Sequence, residues 1–358
     1  MRWRSKFVLF TAVLLLVGAA LAGFDGASAQ QQMPPSPQAK APSPAATPPD
    51  EDEIIKIDTE VVNVLFTAQD NNRRLLINLK QEDVRIIEDG VAQEIVAFSR
   101  QVDLPLSLSI LIDTSVSQQR TLPEEKAAAI SFLESVIRPS KDEVSVVSFT
   151  GESTLEQGMT NNMTRLRRAI DRVEFVPPSG YIGGNVVVGT PPISGGNQQV
   201  AGSTAIWDAI WVTSEEVLGP APEKTRRAII LLSDGVNTFG KKKLDDAVQA
   251  ALRSEAVIYS IGIGDNFYNG VDEAALRKIS ERTGGRAYFP RDESELRLAF
   301  KQIQDEMRSQ YLIAYEPANQ KRDGSYRKIE IQLVNPQMNK EKVKVTHRQG
   351  YFAKTDKK

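Results

Sequence analysis

Between Leu104 and Ser309, short and mostly apolar runs alternate with segments of helical period, and this alternation constrains the fold more than any other feature. The runs are Leu106–Ile112, Val144–Phe149, Ala228–Leu232 and Val257–Ile263. Each is too short for a packed helix and lacks a polar row, as expected of a strand covered on both faces. Between them, apolar residues recur every three or four positions, as at Ile130, Leu133 and Ile137, then at Leu166, Ile170 and Val173. Further helices are expected over Ala205–Leu218, Leu244–Ser254, Asp272–Arg282 (stopped by Gly284) and Glu293–Ser309, with a short strand at Arg286–Phe289. Thr121-x-x-Glu124, with Pro123 in the first turn, reads as a capping box. Strands alternating with helices predict an α/β fold: a doubly wound, mainly parallel, Rossmann-like sheet over residues 104–310.

Both flanks of that region read as β. In 54–103, Val62, Val64 and Phe66 fall two apart, followed by Leu75, Ile77 and Leu79, then Val84–Ile86, a turn at Asp89–Gly90, and Gln93–Phe98. In 311–353, Tyr311–Tyr315, Tyr326–Leu333 and Val343–His347 are β-like. Neither flank supplies enough strands for a good core, so one sandwich-like domain built from both ends of the chain is expected, with the α/β domain inserted between them. Residues 354–358 form a tail.

The N-terminus carries a targeting pattern. Arg2, Arg4 and Lys6 precede the apolar run Phe7–Ala22, and Ala27-Ser28-Ala29 has the form of a cleavage site, giving a signal peptide over 1–29. An uncleaved anchor is the competing reading and would be the chain's one membrane contact, although the run is short for a span of roughly 20 residues. Residues 30–53 hold seven prolines and close on Asp50–Glu53, a composition suited to an extended linker. The expected location is therefore periplasmic, cell-envelope or extracellular.

Composition removes several chemistries. The chain has no cysteine and one histidine, His347, which sits in a strand-like segment, so thiolate nucleophiles and Cys-rich zinc sites are excluded. The 44 Lys and Arg against 46 Asp and Glu leave no basic excess for nucleic acid. Lys241-Lys242-Lys243 reads as a solvated approach to a helix, and Asp208, Glu215 and Glu216 as surface charges.

One constellation remains. Asp113, Ser115 and Ser117 follow the first buried strand as D-x-S-x-S, Gly202-Ser203-Thr204 opens a helix, and Asp234 closes another buried strand. All three pieces fall at the carboxyl edge of the sheet, where open α/β sheets bind ligands. Two carboxylates and three hydroxyls are hard oxygen donors suited to Mg²⁺, with Mn²⁺ or Ca²⁺ as alternatives. Here the chain resembles the von Willebrand factor A (VWA) domain with its metal-ion-dependent adhesion site (MIDAS). Thr114 and Val116 stand where glycine is common in that family. The resemblance implies that Asp113, Ser115, Ser117, Thr204 and Asp234 hold the metal and that an acidic side chain of a partner protein completes its coordination. The whole chain, with Glu88-Asp89-Gly90, Pro105 and Gly350-Tyr351-Phe352, is similar to secreted VWFA-related proteins of acidobacterial type. A non-enzymatic adhesion or scaffold module is the expected function. An envelope protein with a purely stabilising metal and a metal-assisted hydrolase are the alternatives; against the latter, no general base stands beside the motif in sequence. The long stretch from Val176 to Gly202, rich in Gly and Pro, leads straight into Thr204; it reads either as a tolerated surface insertion or as a loop free to overhang the ligand face and select the partner, with a hairpin around Val186–Val188.

Overall fold

The computed structural model describes residues 61–100, 104–177, 182–183, 186–187, 203–222, 224–264, 270–336, 338 and 342–355. The segments expected to be a signal peptide and a linker, 1–29 and 30–53, lie outside the described residues. In the N-terminal flank, β1 is Val62–Gln69, β2 Val84–Glu88, β3 Val91–Gln93 and β4 Ile95–Arg100. The central region follows as β5 (Leu106–Asp113), α1 (Leu122–Val136), β6 (Glu143–Phe149), β7 (Ser153–Thr160) and α2 (Met163–Arg172). A two-strand ladder, β8 (Ile182–Gly183) with β9 (Val186–Val187), precedes α3 (Ile206–Val212). Next come β10 (Arg226–Ser233), α4 (Leu244–Arg253), β11 (Ala256–Gly262), α5 (Glu273–Thr283), β12 (Ala287–Tyr288) and α6 (Glu293–Arg308). The C-terminal flank supplies β13 (Tyr311–Tyr315), β14 (Tyr326–Leu333), β15 (Lys344–His347) and β16 (Gly350–Phe352).

The central sheet runs β12-β11-β10-β5-β6-β7 and is parallel except for the edge strand β7. The chain starts at β5, works outward through β6 and β7, then returns to β10 and works outward on the other side. Its order therefore reverses between β5 and β10, the switch point at which such sheets open a crevice. Side chains of β5 alternate between two cores. Leu108, Ile110 and Ile112 pack with Phe132 and Leu133 of α1, Leu166 and Ile170 of α2, and Phe300 and Ile303 of α6. Leu111 packs on the other face, with Ile206 and Ile210 of α3, Val248 of α4, and Leu276 and Ile279 of α5. Both faces being covered explains why these strands lack a polar row.

The flanks form two four-stranded antiparallel sheets, β15-β1-β13-β4 and β16-β14-β2-β3. Each takes two strands from each end of the chain, and both sheets contribute to one core that includes Val64, Phe66, Ile86, Ile313, Ile331 and Tyr351. The expected fold class, a doubly wound α/β sheet with a sandwich made from both chain ends, is what the structure shows.

Several local expectations are corrected. Leu75, Ile77 and Leu79 make no strand; only an isolated bridge joins Leu75 to Gln69, and Ile77 is exposed. Thr121 does not cap α1: its backbone is already helical, and its hydroxyl donates to Gln118. Strand β7 was not anticipated, because Gln157, Gly158 and the exposed Leu155 break its apolar pattern. The helix expected over 205–218 is α only to Val212, then widens into a π turn over Thr213–Leu218. Among the described residues, no helix is long and apolar enough to cross a membrane.

Candidate metal centre

Asp113 is the last residue of β5 and is fully buried. Its Oδ1 accepts the Ser115 amide at 2.9 Å, and its Oδ2 accepts the Ser233 hydroxyl at 2.7 Å. The Ser115 bond folds the chain back over the strand end, which brings the Ser115 and Ser117 hydroxyls to 3.1 Å from each other. Thr114 turns the other way: its amide and hydroxyl both donate to the Phe149 carbonyl, at 2.9 and 3.1 Å. The departure from glycine at Thr114 thus lies on the side away from the Asp113 carboxylate.

Asp234 follows β10 directly. Its Oδ1 accepts the Val236 amide at 2.9 Å, and the Ser117 side chain hydrogen-bonds to the same carboxylate. Two glycines fit the packing around it. Gly235 adopts φ +81°, and a Cβ there would meet Leu276 Cγ at 2.8 Å. A Cβ on Gly264 would stand 3.0 Å from Asp234 Cβ. Asp113, Ser115, Ser117 and Asp234 are therefore one hydrogen-bonded group at the switch point. Thr204 reaches the same edge by backbone contacts. Its amide donates to Thr238 Oγ1 and its carbonyl accepts the Thr238 amide, both at 2.9 Å, while Ala205 N donates to Thr150 O at 2.7 Å. Its hydroxyl makes no hydrogen bond to the other four among the described residues.

The electrostatics are one-sided. Burial, then the charge of Asp234, pushes the Asp113 carboxyl up to about 7, against the opposing bonds from Ser115 and Ser233. Burial also raises Asp234, with Asp272 adding to the effect and Ser117 and Val236 opposing it. Neither aspartate forms an ion pair with a Lys or Arg among the described residues. Two buried carboxylates with hydroxyls beside them and no cationic side chain are unstable as a charged pair, and a hard divalent cation is the group that this donor set lacks. The residues fit it.

Three contributors are not legible in the motif itself. Ser233 orients Asp113 and accepts the Gly235 amide at 3.1 Å; its place one residue before Asp234 was the available signal. Gln118 is fully buried and ties the first loop to the Ile263 carbonyl at 3.0 Å. Glu125 of α1 is fully buried, and neither of its oxygens has a hydrogen-bond partner among the described residues, since the Thr121 hydroxyl is directed to Gln118 at 3.0 Å. Burial above all raises its carboxyl to about 8, and the charges of Asp113 and Asp234 act in the same direction. Asp208 is no idle surface charge: it accepts the Lys241 and Lys242 amides, both at 3.1 Å, and so anchors the loop after Asp234. Lys242 lies 3.8 Å over the Trp211 ring. His347 stays in the sandwich, where Nε2 accepts the Ile331 amide at 3.3 Å.

Residues 193–306 match the family model of the von Willebrand factor type A domain. The matched stretch takes in Thr204 and Asp234 and begins after Asp113, Ser115 and Ser117. Among solved structures, proximal thread matrix protein 1 from the mussel byssus is similar at 18% identity over 61% of this chain and 50% of that one, with a TM-score of 0.44. The same mussel protein with a zinc-occupied MIDAS motif is similar at 18% identity, covering 62% and 50%, with a TM-score of 0.45. An aerotolerance-related membrane protein from Bacteroides fragilis is similar at 17% identity over 57% of this chain and 100% of that one, with a TM-score of 0.40. This chain spans about half the length of the mussel protein. No curated protein matches the chain.

Proposed function

We propose that this chain, which carries a von Willebrand factor type A domain, is an exported, non-enzymatic protein-binding module. Asp113, Ser115, Ser117, Thr204 and Asp234 would hold a divalent cation at the carboxyl edge of its sheet. Bound there, Mg²⁺ (or Mn²⁺ or Ca²⁺) would supply an open coordination position for a carboxylate oxygen of a partner protein. The observation that carries this reading is the pair of buried aspartates, Asp113 and Asp234, joined through Ser115, Ser117 and Ser233 with no basic side chain among the described residues to balance them. The chain's own part is to present oxygens in fixed positions. Ser233 and the Ser115 amide orient Asp113; Ser117 and the Val236 amide orient Asp234. Gln118 locks the first loop against the end of β11. Hydrolysis is disfavoured because the single histidine is committed to the sandwich. Export is supported by the basic start, apolar run and A-x-A pattern of residues 1–29.

The test is capture of partners from an envelope fraction on the immobilised wild-type chain and on Asp113→Ala, each in Mg²⁺ and in EDTA. The reading expects one set of proteins held only by wild type in Mg²⁺ and released by EDTA. Equal capture by the variant, or capture indifferent to EDTA, overturns it.

A further inference from the structure

At the opposite edge of the central sheet, the amino ends of β5 and β10 and the end of α4 face the sandwich across a cavity of about 280 Å³. Seven residues of β5 separate this edge from Asp113, about 23 Å at 3.3 Å per residue. The cavity is therefore remote from the candidate metal centre, and nothing above assigns it a role.

Its walls have two characters. Leu65, Leu104, Leu252, Val257 and Leu312 give it an apolar interior. Lys224, Arg226, Arg227 and Arg348 give it four cationic side chains, and among the described residues Glu255 is the single acidic one of the lining. Glu255 is already shared, lying 3.3 Å from Arg348 Nη1 and 4.0 Å from Arg227 Nη1. The other partners of these arginines are neutral oxygens. Arg226 donates to the Met307 and Leu104 carbonyls and to Gln310, Arg227 to the Leu218, Ala221 and Pro222 carbonyls, and Arg348 to the Asn63 carbonyl. Asp142, whose charge acts on Arg226, is taken by Arg138 at 2.8 Å. Arg226 and Arg348 are both about nine-tenths buried, and the Nε–H of each has no acceptor among the described residues. Buried donors without acceptors and an excess of positive charge among the described residues, beside an apolar volume, are the complement of an amphipathic anion. The volume corresponds to about nine waters at about 30 Å³ each, hence a molecule of roughly ten non-hydrogen atoms.

We propose that this inter-domain cavity binds a small aliphatic monocarboxylate, its carboxylate toward Arg226 and Arg348 and its tail among Leu65, Leu104 and Leu312. The site is independent of the metal reading, so its test is run in EDTA. The full chain is titrated calorimetrically with octanoate and, separately, with octylammonium, which has the same tail and the opposite charge. Saturable one-to-one binding of octanoate and none of octylammonium is expected. Glu255→Gln removes the competing carboxylate from a half-exposed position and should tighten octanoate binding about fivefold, the effect of one partly screened charge. Arg348→Gln should weaken it about tenfold. Leu65→Trp, which fills the volume, should abolish it, with circular dichroism confirming the fold of each variant. Non-saturable uptake, equal binding of both amphiphiles, or weaker binding by Glu255→Gln overturns the proposal. That last variant cannot mimic success by misfolding, because the expected change is a gain.

Discussion

Asp113 shows how little of a site's support is written in its motif. The spacing D-x-S-x-S identified the oxygens, but the hydroxyl that holds Asp113 Oδ2 belongs to Ser233, 120 residues away, and only the pairing of β5 with β10 brings it there. Glu125 was illegible for a related reason: on an exposed helix face it would be one acid among 46, and its burial comes from the packing of α1 beneath the strand end. Two predictions belong to this scale. In wild type, saturating Mg²⁺ at about 100 times its Kd should stabilise by about 2.7 kcal/mol, or about 5–10 °C in Tm. Asp113→Asn should melt normally in EDTA and lose that shift; a retained shift would place the ion elsewhere. The second concerns pH. The Glu125 carboxyl is raised from 4.5 to about 8 in the folded chain, so the folded state keeps a proton that the unfolded state releases. Its contribution to stability is complete below pH 4.5 and is lost as pH rises toward 8. In EDTA, Glu125→Gln should therefore match wild type near pH 5 and melt several degrees higher near pH 8.5. A variant that melts lower at pH 8.5 would show that the ionised carboxylate has a stabilising partner.

At the scale of elements, legibility followed burial. Strands covered on both faces, β5, β6, β10 and β11, were readable within about two residues because no other local structure explains a short run without a polar row. Helices α5 and α6 were readable at their ends because Asp272 and Asp292 accept the Ala275 and Glu295 amides, and Gly284 takes the left-handed turn at φ +90°. Edge elements were not. Strand β7 has one covered side and an interrupted pattern, and Leu75–Leu79 alternates without pairing, so periodicity failed in opposite directions. The ladder of β8 with β9 lies within the long stretch that precedes Thr204; its Ile182↔Val187 pairing agrees with a hairpin near Val186, and the remainder lies outside the described residues. If that stretch selects the partner, replacing 179–198 by a short Gly-Ser link should leave Mg²⁺ affinity within about twofold and reduce partner capture at least tenfold, a change of about 1.4 kcal/mol. Unchanged capture would make it a spacer.

On the scale of the whole molecule, the sandwich depends on the α/β domain to bring its halves together. Strand β1 lies between β15 and β13, so both its neighbours come from the far end of the chain, with Val62 opposite Tyr315. Tyr311 stacks on Phe66 and Phe98 with ring centroids 5.2 and 5.5 Å apart. Glu88 is almost wholly buried and accepts from the Tyr315 hydroxyl at 2.7 Å, the Tyr351 hydroxyl at 2.9 Å and Arg327 at 3.3 Å, all three from the C-terminal flank. A chain ending at Gln310 would thus leave β1 without either hydrogen-bonded neighbour, half the core exposed, and Glu88 without its donors. Removing the partners of a buried charge costs about 3–5 kcal/mol, and the lost apolar contacts add to it. The central sheet and its two helical layers keep their own cores in such a chain, because those clusters draw on no residue beyond Met307 except the packing of Phe352 at their margin. Limited trypsin digestion should accordingly remove 61–100 rapidly from the truncated chain, at Arg85 and Arg100, which in the intact chain lie in strands paired with Gln332 of β14 and Tyr311 of β13, and leave a resistant fragment containing β5 through α6. The intact chain should resist cleavage at those positions under the same conditions. Equal protection of 61–100 in both chains would show that the N-terminal strands fold without the C-terminal ones, against the pairing that interleaves them.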